Sequence, residues 1–239
     1  MCDANIELGQ LLTAMPSQLT TYLNVESELG DLGQRYLGLL LAGNRHEASQ
    51  LVTEAVKDGA PIKTVYIEVF QNSQYEIGRL WQRNEISVAQ EHFCTAATQL
   101  IISQLYPYLF SHNKTGHRLV VACTGGDLHE LGVRMVADFF EMEGWDTFYL
   151  GANTTADIVV QNVIEHQAHV LGVSATMTCH VQTVADLIAQ ARRTPECAEV
   201  KILVGGYPFV VDRELWRQIG ADAMANNADD AIATANQLV

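Results

Sequence analysis

Two hydrophobic rhythms follow one another along this chain, and they predict two different kinds of structure. Over residues 25–42 the apolar side chains Leu29, Leu32, Tyr36, Leu37, Leu40 and Leu41 recur at helical spacing. A second helix is expected over 45–57, on Ala48, Leu51, Val52 and Ala55, stopping at Asp58-Gly59. Pro61 can open a third, because a first-turn residue has no intrahelical N–H bond to lose. That helix carries Val65, Ile67, Val69, Phe70 and Ile77 toward Trp81. The fourth spans 87–109, with Ser87 and Gln90 spaced as a capping box. Short connections between four helices predict an antiparallel bundle.

After the polar break Ser111-His112-Asn113-Lys114-Thr115-Gly116-His117 the rhythm changes. Apolar runs at 118–123, 146–150, 170–174, 200–204 and 223–226 read as strands. They alternate with helical patterns at about 129–143, 155–167, 180–193, 212–219 and 229–238. Apolar strands separated by helices call for a parallel sheet covered on both faces. The expected fold is therefore α/β: a four-helix bundle at 24–110, a linker at 111–117, and a Rossmann-like (flavodoxin-like) doubly wound parallel five-stranded sheet over 118–239. Residues 1–23, polar and weakly patterned around Pro16, are expected to form a loosely held extension.

Charge narrows the function. With 14 basic against 28 acidic residues the chain carries a net charge of −14. Phosphate contact needs clustered Lys and Arg, so a direct nucleic-acid surface is not expected, and any DNA-linked role has to act through another protein. The five cysteines, Cys2, Cys94, Cys123, Cys179 and Cys197, form no C-x-x-C pair, which argues against zinc and structural disulfides. Cys94 and Cys123 lie in apolar surroundings and read as buried thiols. No apolar run approaches the ~20 residues that span a bilayer, and the first residues lack a basic region leading into an apolar core. A soluble, reduced, cytoplasmic protein is expected.

The candidate chemistry gathers in Thr124-Gly125-Gly126-Asp127-Leu128-His129-Glu130-Leu131-Gly132, which follows the apolar run Leu119-Val120-Val121-Ala122-Cys123. A histidine after a buried strand, with an acidic residue two places before it and a glycine three after, is a side chain held out from a loop with a partner close by. A metal-ligand imidazole is presented in this way. The carboxylate can hold the ring nitrogen that does not face the metal, which fixes the tautomer and raises ligand basicity. The plainer alternative is a histidine that caps the following helix. Ligands of parallel sheets bind at the carboxyl ends of the strands, and His129, Ser174 and Gly205 all fall at such ends.

Asp127-x-His129-x-x-Gly132, followed by Ser174-x-Thr176 and then Gly205-Gly206, resembles the cobalamin-binding domain shared by methionine synthase, the corrinoid methyltransferases and the B12 photoreceptors. The resemblance implies cobalamin as cofactor, with an adenosyl, methyl or hydroxo upper ligand that the sequence does not specify. It implies His129 as the lower cobalt ligand, in place of the displaced dimethylbenzimidazole tail. The tail would pass Ser174, Thr176, Gly205 and Gly206, with Gly126, Asp127, Leu128 and Gly132 completing the binding loop. Side chains at Gly205 and Gly206 would project into the space the nucleotide needs.

The helical half carries a second pattern, Trp81, nine residues, then Glu91-His92. By itself it reads as a core tryptophan beside a solvated pair. Beside the cobalamin motif it resembles the signature of adenosylcobalamin photoreceptors of the CarH and LitR type, in which a four-helix cap covers the upper face of the corrin. The resemblance runs over roughly residues 25–239 and implies Trp81, Glu91 and His92 at the upper ligand; capture of cobalt after photolysis belongs in that family to another histidine, in whose place His92 could act here. Those photoreceptors have a histidine directly after the tryptophan, whereas this chain has Gln82. They usually carry an N-terminal DNA-binding domain that this sequence does not show. His180 is a weaker candidate for a tail contact and is expected at a helix N-terminus. His112, His117, His166 and His169 read as solvent-facing.

Two functions follow from the resemblance, neither of them catalytic for the chain itself. One is a cobalamin-binding sensor of light that regulates transcription through a DNA-binding repressor or another regulatory partner, like the AerR-type antirepressors. The other is a corrinoid methyl carrier serving methyltransferase subunits. Their fold is the same, and only the Trp81-x9-Glu91-His92 pattern separates them.

Overall fold

The computed structural model describes residues 22–110 and 113–239. Cys2, Pro16, His112 and most of the expected extension lie outside the described residues. The chain divides into two compact units between Tyr108 and Leu109.

The first unit is helical. Helix α1 (Gly30–Leu41) starts five residues later than the periodicity suggests. Residues Val25–Leu29 instead form turns, and a Cβ at Gly30 would fall 2.2 Å from the Asn24 carbonyl oxygen. Leu23, expected in the loose extension, is buried against α1, near Gly33. Helix α2 (Arg45–Lys57) follows. The third expected helix is one helical run in three pieces: Ile62–Thr64, a π-helical turn Val65–Gln71, and α3 (Asn72–Gln82). A π-turn adds a residue to the helical repeat and so rotates the faces before and after it relative to each other. Tyr66 and Phe70 in this turn are buried, with Tyr36 of α1 edge-on to Phe70 at 5.5 Å. Asn84, in the left-handed region at φ 58°, closes α3 with bonds from Asn84 N to Trp81 O and from Glu85 N to Leu80 O, a Schellman arrangement. Helix α4 (Val88–Leu105) begins with both bonds of the Ser87–Gln90 capping box. It ends before Leu109, in a 3-10 turn at Tyr106–Tyr108.

The second unit is a five-stranded parallel sheet in the order β2-β1-β3-β4-β5. Its strands are β1 (Arg118–Cys123), β2 (Asp146–Tyr149), β3 (Val170–Ser174), β4 (Lys201–Gly205) and β5 (Ala223–Ala225). This is the flavodoxin-like order, in which the strand sequence reverses between β1 and β3. Helices α5 (Leu131–Met142), α6 (Ala156–Glu165) and α7 (Val181–Arg193) wind between the strands, and α6 packs on α7. The single helix expected over 212–219 is instead two short ones, α8 (Tyr207–Val211) and α9 (Leu215–Gln218), because Pro208 follows Gly206 closely enough to start a helix at once. The last helix, α10 (Ala228–Leu238), packs on α5 and β5. Leu119–Cys123 are buried throughout, and β3 and β4 repeat that pattern with Val170–Val173 and Ile202–Val204.

Register aligns the strand ends that matter. Cys123 pairs with Ser174, and Ser174 pairs with Gly205. Three loops therefore leave the sheet side by side at its carboxyl edge.

Three of the four histidines expected to face solvent are half-buried and held by rings. His117 lies 5.0 Å from Trp145 and 5.4 Å from His169, while His166 stacks on Phe148 at 3.6 Å. Each sets its ring against another ring, a use that hydropathy counting misses because imidazole has an apolar face. No helix among the described residues is long and apolar enough to cross a membrane.

Candidate functional site

The β1 loop is built around one buried carboxylate. Asp127 has no exposed surface, yet four groups converge on it. Its Oδ1 accepts from the His129 backbone N–H at 3.0 Å and from His129 Nδ1 at 2.8 Å. Its Oδ2 accepts from the Thr176 backbone N–H at 2.7 Å, and His180 Nδ1 stands 3.5 Å away. Burial pushes the carboxyl pKa up, but the bonds from Thr176 and His129 outweigh it and hold the group below its ordinary 3.8. Asp127 is therefore an anion at neutral pH that ties the β1 loop to the end of β3.

The consequence for His129 is geometric. Its residue lies in the loop before α5, two positions short of the helix, so it is presented from irregular backbone and not by the helical ladder. With Nδ1 held by Asp127, the imidazole is fixed as the Nδ1–H tautomer and Nε2 keeps its lone pair. The side chain is 57% exposed. That is a single, oriented, basic nitrogen turned toward solvent.

Neighbouring contacts stiffen the loop. Gly126 adopts φ 87° and donates its N–H to Asn153 Oδ1 at 2.8 Å, while the Asn153 N–H returns to the Asp127 carbonyl. Glu130 Oε2 accepts from the Tyr149 hydroxyl at 2.9 Å and from the Ala152 N–H at 3.0 Å, so the loop after β2 is fastened to the same segment. Cys123 is buried beneath, and burial with the nearby Asp127 and Glu130 carboxylates pushes its thiol up to about 12, leaving it a neutral packing group. Leu128 projects into solvent at 72% exposed. Gly132 sits in the first turn of α5 with nothing near its missing Cβ.

The two glycines after β4 differ in what they do. A Cβ on Gly205 would meet only the Ala225 carbonyl, at an ordinary 3.5 Å, so the space beside Gly205 is open. A Cβ on Gly206 would fall 2.0 Å from the Ala175 carbonyl oxygen, and its backbone has φ 103°. Gly206 is thus required by the protein's own backbone, a duty that the expected clearance for the nucleotide did not include.

His180 is the residue whose role the sequence understated. It ends a 3-10 turn (Thr178–His180) at the start of α7, as expected, but its ring packs over Gly126 and faces Asp127. Its Nδ1 is buried without a hydrogen-bond partner, as is the hydroxyl of Thr124 at the start of the same loop. The separation of 53 positions hides this pairing; only the adjacency of β1 and β3 creates it.

The residues present fit cobalamin on three observations of this unit. One imidazole nitrogen is oriented outward, Gly205 leaves unfilled room beside it, and two buried polar atoms at these strand ends, Thr124 Oγ1 and His180 Nδ1, lack partners. Cobalamin would ask of this unit one donor for its metal, and His129 is the residue that would supply it. Among the described residues no three His, Cys, Asp or Glu side chains gather to hold a metal unaided.

The helical unit holds the other expected residues. Trp81, in the last turn of α3, is 44% exposed, large for an indole, and is not a core residue. Glu91 closes the first turn of α4 and His92 follows it, with His92 Nδ1 2.5 Å from Glu91 Oε2 and the imidazole 74% exposed. His92 thus repeats the arrangement at His129, a carboxylate on Nδ1 and Nε2 facing out.

Comparison with known proteins agrees with both units. Residues 117–235 match the family described as B12 binding domain, and residues 32–106 match a second family of the same description. A corrinoid protein of Desulfitobacterium hafniense is 26% identical over 168 residues, covering 68% of this chain and 76% of that one. Monomethylamine corrinoid protein 2 of Methanosarcina barkeri is 28% identical over 195 residues, covering 80% of this chain and 89% of its own. The solved structure of the Methanosarcina barkeri monomethylamine corrinoid protein superposes with a TM-score of 0.78 at 23% identity, over 88% of this chain and all of that one, so the fold is shared.

Proposed function

Starting from a chain made of two B12-binding domains, which binds cobalamin, we propose that it is a corrinoid methyl carrier that shuttles a methyl group between methyltransferase subunits. The observation that carries the reading is the Asp127–His129 pair, one oriented imidazole at the carboxyl edge of the sheet. Cobalamin, when bound, supplies the cobalt centre on which a methyl group can be held and released. His129 would hold it from below, through Nε2. Asp127 keeps that nitrogen basic and aimed. Gly205, with Ser174 and Thr176 across the strand ends, would take the displaced tail, and the exposed Leu128 would lie against the bound cofactor. Trp81, Glu91 and His92 are assigned to the upper ligand in the second, light-responsive reading, and not by the carrier reading itself. The chain supplies no catalyst of its own in this reading, and the partners perform the transfers.

Support comes from the kind of proteins the chain is similar to, which bear the names of corrinoid proteins for monomethylamine and dimethylamine. We extend this to a methylamine as the methyl donor and to methyltransferases as the partners, in place of a DNA-binding repressor. One observation favours the second reading, a light-responsive sensor: the exposed indole of Trp81 on the same helical unit as the Glu91–His92 pair. The two differ in outcome. A carrier loaded with methylcobalamin passes its methyl group to a thiol acceptor when a matching methyltransferase is added in the dark. A sensor changes its hydrodynamic radius or partner affinity on illumination.

The test of the site itself is His129→Ala. Titration of the purified protein with hydroxocobalamin, followed by absorption, should show a base-off, His-on spectrum for the native chain and at least tenfold weaker binding for the variant. Unchanged His-on spectra in His129→Ala would remove His129 from the site.

A further inference from the structure

The Glu91–His92 pair is the outer end of a polar ladder that reaches the centre of the helical unit. Glu91 Oε1 is 2.9 Å from Thr95 Oγ1, which is 3.0 Å from Gln74 Oε1. Gln74 Nε2 is 2.8 Å from Thr98 Oγ1, which is 2.8 Å from the hydroxyl of Tyr36, a residue with no exposed surface. Thr98 also reaches the Cys94 carbonyl at 3.0 Å. Six side chains on α1, α3 and α4 are therefore in one line, from a fully buried phenol to a solvent-facing imidazole.

Counting protons gives the line a direction. The Thr95 hydroxyl has one proton for two oxygens, Gln74 Oε1 and Glu91 Oε1, so one of those contacts lacks a hydrogen. The oxygen and nitrogen of an amide are exchanged by a half-turn, and the hydrogen-bond network decides between them. With the Gln74 amide turned, its N–H donates to Thr95, and Thr95 donates to Glu91. The amide oxygen then accepts from Thr98, which gives up the Cys94 carbonyl, and Thr98 accepts from Tyr36. Tyr36, Thr98, Gln74 and Thr95 now each donate once along the line, and every step points to Glu91, which only accepts. Its second oxygen is left to accept from His92, so His92 carries its hydrogen on Nδ1 and a lone pair on Nε2.

We infer that Gln74 and Thr95 are positioning residues that fix the rotamer of Glu91 and, through it, the tautomer of His92. This rests on the assignment of His92 to the upper ligand. It deepens that assignment: the helical unit then presents one defined acceptor nitrogen, set by side chains that touch no cofactor. A solvated Glu-His pair on a helix surface would need no such chain behind it, since water would satisfy Glu91. Hydrogen bonds to a charged acceptor are worth enough to hold one tautomer over the other by roughly tenfold.

The test uses the full-length apo protein with 15N-labelled histidine rings, at a pH where the imidazoles are neutral. The His92 signals are identified by their loss in His92→Asn. The native protein should show His92 as the Nδ1–H tautomer. Thr95→Val, which keeps shape and removes the hydroxyl, should lower the tautomer ratio roughly tenfold, Gln74→Met should do the same, and Thr95→Ser should restore it. If Thr95→Val lowers the melting temperature but leaves the His92 ratio unchanged, the ladder only staples helices and the inference is overturned. Should Thr95→Val change the ratio while the loaded protein exchanges its upper ligand as the native one does, the link to the site is overturned. A native protein with a fixed His92 tautomer that binds no cobalamin would instead refute the proposed function and leave the ladder standing.

Discussion

Replacing Asp127 by Asn tests the centre of the site with the smallest change in shape. The native carboxylate accepts from three donors on two loops, with Thr176 N at 2.7 Å on one oxygen and His129 N and Nδ1 at 3.0 and 2.8 Å on the other. An amide keeps one acceptor oxygen and turns the other into a donor. If the oxygen stays with His129, the NH2 group meets the Thr176 N–H head-on; if it turns to Thr176, two His129 donors lose their partner. The first is the cheaper arrangement. It sacrifices one charge-assisted bond, leaves a buried donor unpaired and weakens the remaining two, for about 3 kcal/mol in all. For a unit of this size that lowers the melting temperature by about 10 °C. The pH dependence changes as well. Because the folded pKa of Asp127 is held below its ordinary 3.8, its contribution is fully present above that pH and is lost as pH falls through the lower folded value. Asp127→Asn should therefore lose the part of the acid-side decline in stability that belongs to this group. Cobalamin binding should weaken by about 10- to 100-fold, since loss of the group that orients a ligand histidine costs that much. Thermal melts of the apo protein between pH 3 and 7, together with a hydroxocobalamin titration, measure all three. A variant that melts within 2 °C of the native chain and binds cobalamin equally well would refute the reasoning.

The two glycines after β4 should separate cleanly. Gly206→Ala places a Cβ against the Ala175 carbonyl at φ 103° and should destabilise the apo sheet unit by more than about 3 kcal/mol, read by denaturant unfolding. Gly205→Val, whose Cβ meets nothing closer than 3.5 Å, should leave the apo fold intact and abolish cobalamin uptake. In the helical unit, Glu76 has no exposed surface and is paired with Arg79, both Nε contacts being 3.1 Å. Arg79→Leu leaves a buried carboxylate without its main partner and should cost about 3–5 kcal/mol, much of it recovered by adding Glu76→Gln.

What the sequence determined by itself was what repeats or lies close along the chain. Strands β1 to β5 and most helices were legible because burial imposes a period on hydrophobicity, and the capping box at Ser87 because both partners sit within one turn. The Asp127–His129 pair belongs to the same class, being two residues apart in one loop. The π-turn at Val65–Gln71 was not legible, since its residues read as ordinary helix and the ring contact of Phe70 with Tyr36 of α1 is made only in the folded unit. Nor was the second contact on Asp127, from Thr176 and His180, or the separate duties of Gly205 and Gly206. Those depend on which strand ends the sheet order places side by side and on where Ala175 runs. The ladder from Tyr36 to His92 is also tertiary, for it joins three helices through side chains up to 62 positions apart. Local pattern carries no information about such meetings, because hydrogen bonds over that distance in sequence exist only once the backbone has closed around them.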